Sequence, residues 1–97
     1  MNFQKAQKTA EKWIQSNPQE LEPTEVESVL KGLEFKLLGK NSDHTTFRWQ
    51  HKKISCDYFL HGIIKISVNH KKSAKSAVLI GSVKPLLKAL KIYFEKE

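Results

Sequence analysis

The sequence predicts an α+β fold in which helices cover one face of a three- to four-stranded antiparallel sheet and leave the other face open. Three observations predict it. Apolar residues recur at helical spacing near both ends of the chain, whereas the middle alternates between apolar and polar residues as strands do. Short polar segments separate the alternating stretches, which is typical of strands joined by tight turns. With 97 residues, the chain has the length of one domain.

Two helices are predicted in the first third of the chain. Residues 3–15 carry a single apolar stripe that stops before Pro18. A second helix is predicted over residues 25–33, with Thr24 as its N-cap in a capping box with Glu27.

The first of these helices carries a stripe that has to be buried, because a lone helix of this length is marginal in water. The stripe can pack against the rest of the chain, or it can dock into a partner protein. We therefore divide the chain into an accessory segment, residues 1–22, and a main domain, residues 23–97.

Four stretches in the middle of the chain are predicted strands: residues 35–40, 44–50, 54–60 and 63–68. In the second stretch, the apolar alternates Phe47 and Trp49 are expected to face the core. The opposite parity then places His44, Thr46 and Arg48 on the open face of the sheet, and Lys65 of the fourth stretch is expected beside them.

The remaining elements follow the same patterns. The apolar alternates of the third predicted strand, which include Tyr58 and Leu60, are expected to point inward. Residues 77–81 are too short a stretch to classify. A last helix is predicted with Ser82 as its cap and Pro85 in its first turn, where a missing N–H costs little.

The charge of the chain is unevenly distributed. The formal net charge is +7, but residues 1–34 carry −2 and residues 35–97 carry +9. Such an excess produces a positive field suited to a phosphate backbone, with strongly salt-dependent affinity. A lysine-rich surface that serves only solubility remains the alternative.

Other classes of protein are excluded or disfavoured by the composition. Cys56 is the only cysteine, so the chain has no internal disulfide and no zinc-ribbon spacing. Together with His61 and His70 it makes no recognisable metal spacing, and neither metal nor cofactor is expected. The sequence has no apolar run of membrane-spanning length and no apolar signal segment at its N-terminus, so we expect a cytoplasmic protein that does not enter a membrane.

Several motifs resemble those of a known family. An amphipathic helix runs into a first strand (VESVLKGLEFKLLGK), a short turn ends in a histidine (SDH), a later strand ends in another (IKISVNHKK), and the chain closes with a Leu- and Lys-rich helix (SVKPLLKALKIYF). On these motifs the segment from Thr24 to Glu97 resembles the HicA-type toxins of bacterial HicA–HicB toxin–antitoxin pairs. Glu34 stands where that family has glycine before its Phe, and Ser42-Asp43 replaces the Gly-Ser of the turn.

The resemblance implies a double-stranded-RNA-binding-domain-like fold and a metal-independent endoribonuclease that cuts mRNA. It implies that His44 is the catalytic proton-transfer group and that a HicB-like antitoxin is the partner. Histidine suits this role because both of its protonation states are accessible near neutral pH. The adjacent Asp43 carboxylate would favour protonated His44 and therefore an acid role.

Cations are needed beside such a histidine to hold the phosphate backbone. The residues expected to bind RNA are Lys40, Thr46, Arg48, Lys65, His70, Lys71, Lys72 and Lys75. The lysines that follow His70 can equally form a solvated loop, and His51 and His61 are expected to be ordinary turn residues. Two other functions stay open: a non-catalytic RNA-binding module of the same fold, and a basic domain that binds an acidic protein.

Overall fold

A computed structural model describes residues 1–40, 46–69, 77–78 and 80–95 of the chain. Its helices and strands are α1 (Phe3–Ser16), α2 (Pro23–Gly32), β1 (Lys36–Lys40), β2 (Thr46–Gln50), β3 (Ile63–Asn69), β4 (Ala77–Val78) and α3 (Ile80–Glu95). The α+β class predicted from the change in apolar period is confirmed. No helix in these described ranges has the length and apolar character to cross a membrane.

The four strands form one antiparallel sheet in the order β1-β2-β3-β4. Alternation separates its two faces. Trp49 of β2 and its cross-strand partner Ile64 of β3 are buried at 3% and 2% exposure, whereas the neighbouring pair Arg48 and Lys65 is exposed. One face of the sheet therefore belongs to the core and the other carries charged side chains.

The helices build the core on the apolar face. Val26 of α2 lies beside Trp49 and Ile66 of the sheet, and α3 packs against β3. A buried hydroxyl ties the two layers, since Ser82 Oγ accepts a hydrogen bond from the Ser67 N–H at 2.8 Å. At the other end of α3, the Tyr93 hydroxyl donates to the Leu33 carbonyl at 3.2 Å.

Helix α1 buries its stripe within the chain, by packing on α2 and α3. Ala6, Ala10 and Trp13 are buried at this contact. The approach to α2 is close: a Cβ on Gly32 would lie only 2.6 Å from Cβ of Ala6. Of the two predicted docking modes, the structure shows the intramolecular one.

The predicted strand over residues 54–60 is wrong. The chain instead makes two short 3₁₀ turns, Lys52–Ile54 and Leu60–Gly62, around an irregular segment that is closed by a Cys56 N–H···O Phe59 hydrogen bond. Tyr58 and Leu60 are 58% and 70% exposed, so they do not point inward as predicted.

Two predicted helix starts also need correction. Helix α2 begins at Pro23, and Glu22 is its N-cap. Proline suits the first helical position because the N–H that it lacks would have no partner within the helix. Thr24 lies inside the first turn, where its hydroxyl donates to the Glu22 carboxylate at 2.9 Å, so it does not form the predicted capping box. Helix α3 begins at Ile80 rather than after Ser82, whose hydroxyl is used by β3 instead.

Candidate functional site

Four of the predicted RNA-binding residues lie together on the charged face of the sheet. Lys40, Thr46, Arg48 and Lys65 line one shallow depression of about 200 Å³, which we call the basic face. Arg48 and Lys65 are direct partners across β2 and β3, so their side chains leave the sheet side by side. The outward parity predicted for them is what the structure shows.

A β-bulge gives the Arg48 side chain its room. The pairing of β1 with β2 shifts between Leu37 and Gly39, so that Gly39 lies opposite Arg48. A Cβ built on Gly39 would be 3.9 Å from a guanidinium nitrogen of Arg48. The guanidinium thus lies over the one β1 residue that has no side chain.

The electrostatics of the basic face are one-sided. Among the residues that the structure describes, four line it: three of them are cations and none is acidic. Paired cations of this kind repel one another and gain from an anion between them, and Arg can hold phosphate oxygens with two parallel hydrogen bonds. The depression can therefore hold a phosphate group.

A second cavity, of about 480 Å³, lies at the end of β2. We call it the His51 cleft, and its lining residues are Glu34, Gln50, His51, Lys52, Ser55 and His61. Gln50 joins its two sides, since its side-chain amide donates to the His61 carbonyl at 2.8 Å. Sequence periodicity does not predict the cleft, because it predicts a strand over residues 54–60, part of the segment that forms it.

The surroundings of His51 fix the position of its imidazole ring and select one tautomer of the neutral ring. Its ring centroid lies 5.1 Å from that of Phe35 and 5.0 Å from that of Tyr93. Its Nδ1 accepts a hydrogen bond from the Lys53 N–H at 3.0 Å, so the proton of the neutral ring is on Nε2.

The same surroundings lower the pKa of His51. Burial is the main cause, the positive charges of Lys53 and Lys52 add to it, and the Glu34 carboxylate opposes it. His51 is thus a neutral imidazole at neutral pH, with an N–H donor at Nε2.

Three residues at the cleft have left-handed backbone conformations: Glu34 (φ 69°), His61 (φ 59°) and Gly62 (φ 71°). At Gly62 the conformation is required, because a Cβ there would collide with the His51 carbonyl oxygen. For Glu34 and His61 the conformation is strained, and such strain persists only where the surrounding structure enforces it.

The other predicted site residues, His44, His70, Lys71, Lys72 and Lys75, lie outside the described residues, as does Asp43. In sequence, His44 comes two residues before Thr46 of the basic face. Within the part of the chain that the structure describes, no three His, Cys, Asp or Glu side chains group as metal ligands would.

Comparison with protein-family models, with curated proteins and with solved structures gave no match for this chain.

Proposed function

We propose that this protein binds RNA through the basic face and is a metal-independent ribonuclease toxin of the HicA type. The observation that carries the proposal is the convergence of Lys40, Arg48 and Lys65 around one depression on the charged side of the sheet. Those three cations come from three different strands, so the fold itself brings them together, and a cluster of this kind would suit a phosphate backbone.

Two further observations support the likeness to HicA-type proteins. The order α2-β1-β2-β3-α3 is the helix, three strands and helix that the resemblance implies, with α1 and β4 as additions. In addition, Glu34 takes the left-handed backbone at the position where the family has glycine. A glycine preference at that position is what this local geometry would produce.

The basic face would hold the phosphate next to the bond that is cut. The 2′-hydroxyl attacks phosphorus as a base removes its proton, and the 5′-oxygen leaves as an acid protonates it. His44 would be the acid that protonates the leaving 5′-oxygen. Arg48 and Lys65 would stabilise the charge that develops on the phosphorane oxygens. A HicB-like antitoxin would then act by covering the basic face and excluding RNA.

The test is incubation of the purified protein with total RNA in the presence of a chelator of divalent metals. We expect cleavage by the native chain and loss of at least about 100-fold in rate for His44→Ala, because a positioned proton-transfer group contributes about that much or more. His70→Ala removes an imidazole that is expected to bind RNA without transferring a proton, and its rate should fall far less. Induction in bacteria should arrest growth for the native chain and not for His44→Ala at equal expression.

Each other result rejects part of the proposal. Full cleavage by His44→Ala would remove the catalytic assignment. Salt-sensitive RNA binding without cleavage by the native chain would leave a non-catalytic RNA-binding module. Failure to bind RNA at low salt would reject both functions.

A further inference from the structure

The His51 cleft differs in chemistry from the basic face, although β2 joins them. The basic face presents three cations, whereas the cleft contains one lysine and one carboxylate, Lys52 and Glu34, whose charges offset each other. Its remaining lining consists of an amide, a hydroxyl and two imidazoles. Such a lining suits an uncharged ligand with several hydrogen-bonding groups better than it suits a phosphate.

The His51 ring is built to donate a hydrogen bond. Its Nδ1 is occupied by the Lys53 N–H, and no described residue accepts from Nε2. Among the described residues no buried side-chain nitrogen is left without a partner, so Nε2 reaches solvent. To act as a base at Nε2, the neutral ring would have to carry its proton on Nδ1, where that proton would face the Lys53 N–H. The geometry therefore favours a hydrogen-bond donor at Nε2 over a group that accepts a proton there.

The size and position of the cleft fit one part of an RNA strand. A volume of about 480 Å³ is in the range of small-molecule sites, which is roughly 300 to 1,000 Å³. Gln50 of the cleft has the same parity on β2 as Arg48 of the basic face and follows it by two residues, which is about 7 Å along a strand. A phosphate at Arg48 and a base in the cleft can therefore belong to the same or to adjacent nucleotides.

We propose that the His51 cleft seats one unpaired nucleobase of the RNA strand whose backbone lies on the basic face. The Nε2–H of His51 would donate to a carbonyl oxygen or ring nitrogen of the base. The side-chain amide of Gln50 would form a hydrogen bond with the neighbouring polar group of the same base. Sequence-specific RNA recognition commonly uses unstacked bases in this way. The inference rests on the proposed RNA binding and gives it a substrate class, single-stranded RNA with base preference.

The test measures binding of short single-stranded oligoribonucleotides that carry 2′-O-methyl groups, so that attack by a 2′-hydroxyl cannot cleave them. One series has a single base type throughout each strand, and a second has the same backbone without bases. The native protein should bind at least one base type more tightly than the abasic strand, by about threefold to tenfold for each hydrogen bond gained. Free mononucleotides should bind far more weakly than strands.

The informative variant is His51→Asn. Asparagine is a favoured N-cap, so its carbonyl oxygen can still accept from the Lys53 N–H while the Nε2–H donor is removed. We expect this variant to lose the preference among base types and to keep the salt dependence of binding. Arg48→Ala is the matched control, which should weaken all strands, abasic ones included, by the same factor.

The outcomes separate the two proposals. If the native protein bound base-carrying and abasic strands with equal affinity, the cleft assignment would be overturned and RNA binding would stand. This result needs only the native protein. An unchanged base preference in folded His51→Asn would also overturn it, as would mononucleotides that bind as tightly as strands. Absence of binding to every strand would instead overturn the RNA-binding function itself.

Discussion

At the scale of single residues, His51 connects the candidate site to the stability of the fold. Its ring is held against Phe35 and Tyr93, and Lys53 Nζ lies 4.7 Å from the centre of the Tyr93 ring. A protonated imidazole in this cluster would lose hydration, face a nearby ammonium and point a second N–H at the Lys53 N–H. The folded protein therefore resists protonation of His51 more than the unfolded chain does.

This resistance predicts a pH dependence of stability. The pKa of His51 is lowered in the folded protein, so the unfolded chain binds more protons between that lowered pKa and the ordinary value of about 6.5. The free energy of unfolding should decrease as pH falls through this window. Urea unfolding of the native protein and His51→Asn should show the native protein losing more stability from pH 7 to about pH 5.

The other histidines are common to both proteins, so their contributions cancel in the comparison. The same stability difference between native protein and His51→Asn at both pH values would show that His51 has the same pKa in the folded and unfolded chain.

Glu34 gives a second prediction at this scale. A non-glycine residue in the left-handed region costs about 1 to 2 kcal/mol, which glycine avoids at a smaller entropic cost. Glu34→Gly should therefore raise the free energy of unfolding by up to about 1 kcal/mol, measured in urea. Glu34→Ala separates backbone strain from charge: it removes the same carboxylate and keeps the Cβ. A gain as large for alanine as for glycine would contradict the strain explanation.

At the scale of elements, sequence periodicity located the three α-helices and three of the four strands that the structure describes, because each carries an apolar face against the core. The prediction failed over residues 54–60, where apolar and polar residues alternate but no described strand pairs with the segment. Ile54, Cys56, Tyr58 and Leu60 alternate, but the chain bonds locally through the Cys56 N–H and Phe59 carbonyl. Ile54 and Phe59 are the buried residues there, five apart and of opposite parity. Burial in this segment follows tertiary contacts and no regular period.

The turn into β3 should depend on Gly62. Gly62→Ala would place a methyl group against the His51 carbonyl and force a strained φ, so we expect it to lower the free energy of unfolding by about 2 kcal/mol or more. Gly81→Ala is the matched control. It lies in α3 with open space around its Cβ position, and alanine there should stabilise by about 0.5 to 1 kcal/mol. Comparable small effects at both glycines would contradict the geometry at Gly62.

At the scale of the whole molecule, the charge asymmetry of the sequence becomes a spatial one. Acidic residues are concentrated in α2 and the connector before it, and the basic face lies across the sheet from α2. Parity along β2 and β3 was enough to predict Arg48 and Lys65 on one face. Parity could predict neither the bulge in β1 nor a cleft whose residues join positions 34 and 50–61.

The basic face predicts how binding responds to salt. Removing one cation that neutralises a phosphate should reduce the slope of log affinity against log salt by about 0.7 for single-stranded RNA. Arg48→Ala should show this reduction, and Gly39→Asp should too, because it sets a carboxylate against the Arg48 guanidinium. Gly39→Ala is the matched control and should leave the slope unchanged. An unchanged slope in Arg48→Ala and Gly39→Asp would place the RNA-binding surface elsewhere.

The outer strand β1 has a consequence for how other proteins can approach. Its backbone is interrupted by the bulge after Leu37, and a lysine lies at each of its ends, Lys36 and Lys40. Interruptions and lysines of this kind discourage a foreign strand from extending a sheet. Addition of a foreign strand to this edge of the sheet, whether from a second copy or from another protein, is therefore disfavoured.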